Sequence, residues 1–184
     1  MTIELNKTDS RLEAIQFLSK SMESKSGRFH TSHIKVEANG NAASTDGARL
    51  HFVRDLALEP GYYKIHKLTK SGALIDKAHD LDTREGDFPD YADLLAFPSG
   101  NGEQSFSVNL TPDFASKSYT EVVRAMKGST IEFSFLKDLC DTVQEVVSVV
   151  VPGPEETSRG LETCKPIHFG NDNLHAIIMP KVIK

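Results

Sequence analysis

A chain of 184 residues with 39% hydrophobic content can build one core-bearing domain, and 26% charged residues without a long polar tract exclude global disorder. Its 21 Lys and Arg against 26 Asp and Glu leave a net charge of −5, which excludes a protein coating nucleic acid with its whole surface but allows a local basic face. No run approaches a membrane span and the first residues lack a secretory pattern, so a cytoplasmic protein with no membrane partner is expected.

The first predicted element is a helix over residues 10–23. Ser10 and Glu13 have capping-box spacing, and Leu12, Ile15, Leu18 and Met22 fall on one apolar face. A polar stretch ending at Gly27 closes it. Residues 29–53 read as strands, with Ile34 and Val36 alternating before an Asn39-Gly40 turn and a second run broken at Asp46-Gly47. Pro60-Gly61 and Ser71-Gly72 punctuate two further strands, at 62–68 and 73–79. Residues 80–93 are acidic, contain Gly86 and Pro89, and read as a loop.

Ser99-Gly100-Asn101-Gly102 reads as a linker, after which the pattern restarts. Residues 106–110 predict a strand, and Thr111-Pro112 opens a second helix that closes at Gly128, with Phe114, Val122, Val123 and Met126 on its apolar side. Strands are expected at 130–136, 143–151, 163–169 and 174–179, with a loop at Pro152-Gly153-Pro154 and Glu155-Glu156. The element order predicts an α+β fold in which two helix-plus-antiparallel-strand halves share a sheet, both helices on one face. The halves, about 1–98 and 99–184, form a single domain in this reading.

Cys140 and Cys164 lack metal-ligand spacing and are expected to be reduced thiols, with a single disulfide as the minor alternative. His30 and His33, with His79 beside Asp80 and Asp82, sketch a weak metal or acid–base region. No Gly-rich phosphate loop, nucleophile elbow or paired metal motif accompanies them, so no enzyme and no cofactor is expected. His168 and His175 flank the Gly170-Asn171-Asp172-Asn173 turn and read as hairpin residues.

Three short strings carry a resemblance. Ala43-Ser44-Thr45-Asp46-Gly47-Ala48-Arg49-Leu50, then Gly86-Asp87-Phe88-Pro89-Asp90-Tyr91, and finally the ending from Ala176 to Lys181 resemble, in the same order, stretches of the bacterial beta sliding clamp, the processivity subunit of DNA polymerase III. Two departures stand out: Ala48 replaces the family's histidine, and Lys181-Val182-Ile183 its final Met-Arg-Leu. The resemblance implies a DNA-clamp-like fold and a non-catalytic accessory role in DNA replication or repair.

The resemblance also implies a peptide pocket for a polymerase or repair protein, with Thr45, Gly47, Arg49 and Leu50 as one wall and Ile178, Met179 and Pro180 as the other. As plain structure, the same strings are a turn between strands and a terminal strand. The family's helices face double-stranded DNA without reading sequence, which here points to Arg11, Lys20 and Lys25 near the first helix and Lys117, Arg124 and Lys127 near the second. Glu121 lies at ion-pair spacing from both Lys117 and Arg124, as on an ordinary solvated face. The family closes its ring with six domains shared between two subunits; a homo-oligomer of six single-domain chains would match that count, and a monomeric relative that has lost the ring is equally admissible. A clamp-fold scaffold or oligomerisation protein with no DNA role is the alternative, and a small metal-dependent enzyme using the His30, His33 and His79 region a lower one.

Overall fold

The computed structural model describes residues 2–23, 30–78, 88–95, 102–158 and 160–182. The chain divides into two compact units, Met1–Asp90 and Tyr91–Lys184. The expected helix end at Gly27, the 79–87 part of the acidic loop, with His79, Asp80 and Asp82, and the linker residues Ser99, Gly100 and Asn101 lie outside the described residues.

The first unit holds β1 (Thr2–Asn6), α1 (Arg11–Ser19), β2 (Ile34–Val36), β3 (Ala42–Thr45), β4 (Arg49–Val53), β5 (Gly61–Thr69) and β6 (Gly72–Lys77). Its strands are antiparallel in the order β1-β6-β5-β2-β3-β4. Strand β1 was not anticipated, although Ile3 and Leu5 alternate with polar neighbours. These two residues pair with Ile75 and Ala73, and Leu5 is buried.

Helix α1 packs against β1, β3, β4 and β6 through Leu12, Ile15 and Leu18, as the apolar spacing predicts, and Phe17 is buried as well. Its predicted cap is corrected. Ser10 already has helical backbone angles (φ −61°, ψ −19°) and makes no side-chain cap bond. Asp9 acts instead: its carboxylate accepts from the Arg11 amide at 3.0 Å and its carbonyl from the Leu12 amide at 3.0 Å.

The helix also ends at Ser19 rather than residue 23, and Met22 lies beyond it, half-buried. The shortening has a local cause. The Ser21 and Ser44 hydroxyls sit 2.6 Å apart in a buried site, and Ser44 Oγ donates to the Leu18 carbonyl at 2.7 Å. These bonds satisfy the end of α1 with strand β3 instead of another helical turn.

The second unit holds α2 (Ala92–Leu95), β7 (Gln104–Asn109), α3 (Ala115–Ala125), β8 (Ser129–Thr130), α4 (Phe133–Thr142) and β9 (Val146–Val151). After these come β10 (Glu155–Thr157), β11 (Gly160–Glu162), β12 (Ile167–Gly170), β13 (Leu174–Ile178) and β14 (Lys181–Val182). Strands β13-β12-β9-β7 form an antiparallel sheet in that order; β10 pairs with β11, and β14 with β8.

Several expectations for this half are corrected. The predicted strand at 130–136 is a two-residue strand followed by helix α4. Ile131, Phe133 and Phe135 imitate strand alternation, yet Leu136, Leu139 and Cys140 are the buried residues and recur at helical spacing. The expected loop at Glu155-Glu156 is strand β10 of a hairpin, and α2 begins in the last two residues of the 80–93 stretch read as loop.

Helix α3 begins near the expected place, after extended Thr111 (φ −108°, ψ 155°) and a 3-10 turn at Pro112–Phe114, but the Thr111 side chain makes no cap bond. Its buried residues are Ala115, Ser118 and Val122, with Met126 buried at the extended C-terminal cap; Val123 is half-buried, and Phe114, assigned to the apolar side, is exposed. The 3-10 turn shifts Phe114 out of the α-helical period that the sequence suggested.

Candidate docking and nucleic-acid-facing residues

The turn between β3 and β4 is built from its own side chains. Thr45 Oγ1 donates to the Arg49 carbonyl at 2.7 Å and accepts from the Gly47 amide at 3.1 Å. Asp46 Oδ1 accepts from the Ala48 and Arg49 amides, each at 3.0 Å, and Oδ2 accepts from Arg49 Nε at 3.0 Å. Gly47 sits at φ +86°, where a side chain would be strained even though an added Cβ would meet nothing within 4 Å.

These bonds sort the residues of this candidate wall. Thr45 and Leu50 are buried at 7% and 5% exposure, so they shape the turn from inside. Gly47 is exposed, and Ala48 and Arg49 are half-buried. The Arg49 guanidinium is held against Asp46, which fixes the arginine stem over the turn.

In the second unit, Ile178 ends β13 and is wholly buried, whereas Met179 is 41% exposed and Pro180 half-buried. Met179 and Pro180 link β13 to β14. Strand β14 is anchored by Lys181 opposite Thr130 and by a Lys181–Glu132 ion pair. A flexible thioether at the surface of a tethered segment is suited to irregular apolar ligands.

The predicted helix cations divide sharply. Arg11 starts α1 in a two-pronged pair with Asp9, with Nε at 2.9 Å and the terminal nitrogen at 2.7 Å. That contact drives the Asp9 carboxyl down to about 2 and raises the Arg11 guanidinium. Lys20 sits at the C-terminal cap of α1, and Lys25 lies outside the described residues. On α3, Lys117 and Arg124 share the exposed face, while Lys127 is exposed two residues past the helix end. Among the described residues none of these three forms an ion pair, although Glu121 has the spacing to do so. Lys117 Nζ instead lies 5.8 Å from the Phe114 ring centroid.

The described histidines do not assemble a centre. His33 is buried, with Nδ1 at 3.0 Å from Ser32 Oγ, and the side chain of His30 lies outside the described residues. Among the described residues no group of three or more His, Cys, Asp or Glu side chains can hold a metal. His168 and His175 do lie on the β12–β13 hairpin, opposite Ile177 and Gly170 respectively. Burial, with a smaller contribution from His175, lowers the His168 imidazole to about 4. Both cysteines are free thiols, and burial pushes Cys140 up to about 11. Among the described residues no helix is long and apolar enough to cross a membrane.

One surface feature escaped the sequence reading. A shallow groove between α3 and β7 is lined by Gln104, Phe106, Ser107, Glu121, Arg124 and Ala125. Alternation along Phe106 and Val108 could have signalled a shared strand face, but the meeting of that face with α3 depends on tertiary packing.

The α+β architecture is that of the DNA sliding clamps. Among solved structures, the chain is similar to the DNA polymerase III subunit beta from Pseudomonas aeruginosa, with a TM-score of 0.58 and 14% identity, over 100% of this chain and 66% of that one. It is also similar to the DNA polymerase sliding clamp from Bacillus subtilis (TM-score 0.56, 11% identity, 100% of this chain and 65% of that one). The subunit beta from Borrelia burgdorferi, solved in complex with a natural product, matches with a TM-score of 0.57 and 10% identity, over 100% of this chain and 63% of that one. At these identities the likeness is one of fold. The chain spans about two thirds of the length of the structures it matches. No family model and no curated protein matches it.

Proposed function

We propose that this protein is a non-catalytic, sliding-clamp-like accessory factor of DNA replication or repair. The observation that carries the reading is the clamp fold extending over 100% of the chain. Helix α3 supports a DNA-facing role, because Lys117, Arg124 and Lys127 project from a protein of net charge −5 without ion-pair partners among the described residues. Cations so placed contact phosphates and carry no base specificity. Arg11, held by Asp9, contributes less in this reading.

Docking of a polymerase or repair protein through a short apolar peptide is proposed for two surfaces, each considered on its own unit. In the first unit the surface is the Gly47-Ala48-Arg49 face of the turn, with Thr45 and Leu50 beneath it. In the second it is Met179 and Pro180, with Ile178 beneath. The protein acts as a homo-oligomer. Two compact units in a chain spanning about two thirds of each matched structure support counting each unit as one clamp domain. Three copies, rather than six, then supply the six domains of a ring.

The reading is tested with Lys117→Glu combined with Arg124→Glu and with Lys127→Glu, following association with labelled duplex DNA at low salt. Loss of about one unit of salt slope per removed cation is expected. Unchanged association contradicts the DNA-facing role and favours the second reading, a clamp-fold scaffold without a DNA role. That alternative draws support from the ion-paired state of Arg11.

A further inference from the structure

We propose that the α3–β7 groove holds an unpaired nucleotide of a single DNA strand, with a preference for bases that carry an amino group. The inference rests on the proposed DNA-facing role of α3 and assigns that role a second, single-strand component. Three properties of the groove support it. Phe106 is half-buried and lines the groove, which supplies an aromatic ring of the kind on which a base stacks. Arg124 is exposed on α3 and, among the described residues, forms no ion pair, so its guanidinium is free for a phosphate.

Glu121 is the third property. It lines the same groove three residues from Arg124, with no ion pair or hydrogen bond among the described residues. An unpaired carboxylate repels a bare polyanion but accepts from an exocyclic amino group such as cytosine N4, a contact thymine cannot make. A cation, a carboxylate and an aromatic face in one groove therefore match a nucleotide better than a purely anionic or purely apolar ligand. Gln104 is already positioned, its Nε2 donating to the Ala125 carbonyl at 3.2 Å and tying the start of β7 to the end of α3.

The experiment measures fluorescence anisotropy of labelled oligo(dC), oligo(dT) and a duplex with the full chain and three variants. Phe106→Leu keeps apolar volume while removing the stacking face. It is expected to weaken single-strand binding by about fivefold or more and to leave duplex binding within about twofold. Glu121→Gln is expected to reduce the preference for oligo(dC) over oligo(dT). Lys117→Glu with Lys127→Glu, outside the groove, is expected to weaken duplex and single-strand binding alike.

Single-strand affinity unaffected by Phe106→Leu, or no single-strand binding by the unaltered chain, overturns the inference. A change in oligomeric mass caused by Phe106→Leu, read by light scattering, also overturns it by making the groove a contact between copies. If the Lys117 and Lys127 variant leaves duplex binding unchanged while Phe106→Leu still weakens single-strand binding, the duplex-facing role of α3 fails and the single-strand site at the groove stands.

Discussion

Thr45 Oγ1 donates a 2.7 Å hydrogen bond to the carbonyl of Arg49, closing the turn that carries one of the two candidate docking surfaces. The same hydroxyl accepts from the Gly47 amide, so a single side chain satisfies two backbone groups of the turn. Thr45→Val removes both bonds at nearly constant volume and is expected to cost about 1–2 kcal/mol in urea unfolding. Gly47→Ala is expected to cost about 1 kcal/mol from its left-handed backbone alone, since space for the methyl group is open.

Acid stability follows from His168. Its folded value of about 4 lies below the ordinary 6.5, so the unfolded chain binds the proton more readily. The contribution of the buried neutral imidazole is complete above about pH 6.5 and is lost as the pH falls through 4, amounting to about 3 kcal/mol in all. Urea unfolding at pH 7.5 and pH 4.5 checks this, and His168→Gln is expected to flatten the difference.

Helix α4 is tested by proline. Asp138→Pro falls inside Phe133–Thr142 and is expected to cost about 3 kcal/mol or more, because it removes a helical hydrogen bond and its ring clashes with the preceding turn. Had residues 130–136 formed the expected strand, position 138 would follow it and tolerate the change. Leu139→Ala, at a fully buried site, is expected to cost about 2–5 kcal/mol.

Met179 separates docking from folding. It is 41% exposed, so Met179→Ala is expected to leave the unfolding midpoint nearly unchanged while weakening a clamp-binding peptide by tenfold or more in a titration. Leu50 cannot serve this purpose, since at 5% exposure its truncation destabilises the first unit. Unaltered peptide affinity in Met179→Ala argues against docking at the second surface.

The fold class was legible because both units follow local rules. The Asn39-Gly40 turn falls between β2 and β3, Ser71-Gly72 stands where β5 gives way to β6, and Leu12, Ile15 and Leu18 keep helical spacing. Helix α4 was hidden because Ile131, Phe133 and Phe135 satisfy a period of two before Leu136, Leu139 and Cys140 reveal 3.6. The Ser10 cap failed for a different reason: Asp9, reinforced by Arg11, starts the helix one residue earlier by accepting from the Arg11 amide with its carboxylate and from the Leu12 amide with its carbonyl. In the candidate site the sequence identified cations and apolar ends but not their partners. That Arg11 is held while Lys117 and Arg124 are not is decided by rotamer and packing, which spacing alone does not encode.

The central claim, a clamp-like assembly in which each chain supplies two domains, is tested most directly by light scattering coupled to size exclusion at micromolar concentration. A mass three times the 20.3 kDa of one chain is predicted. A single species at 20.3 kDa, unchanged on raising the concentration, would contradict it.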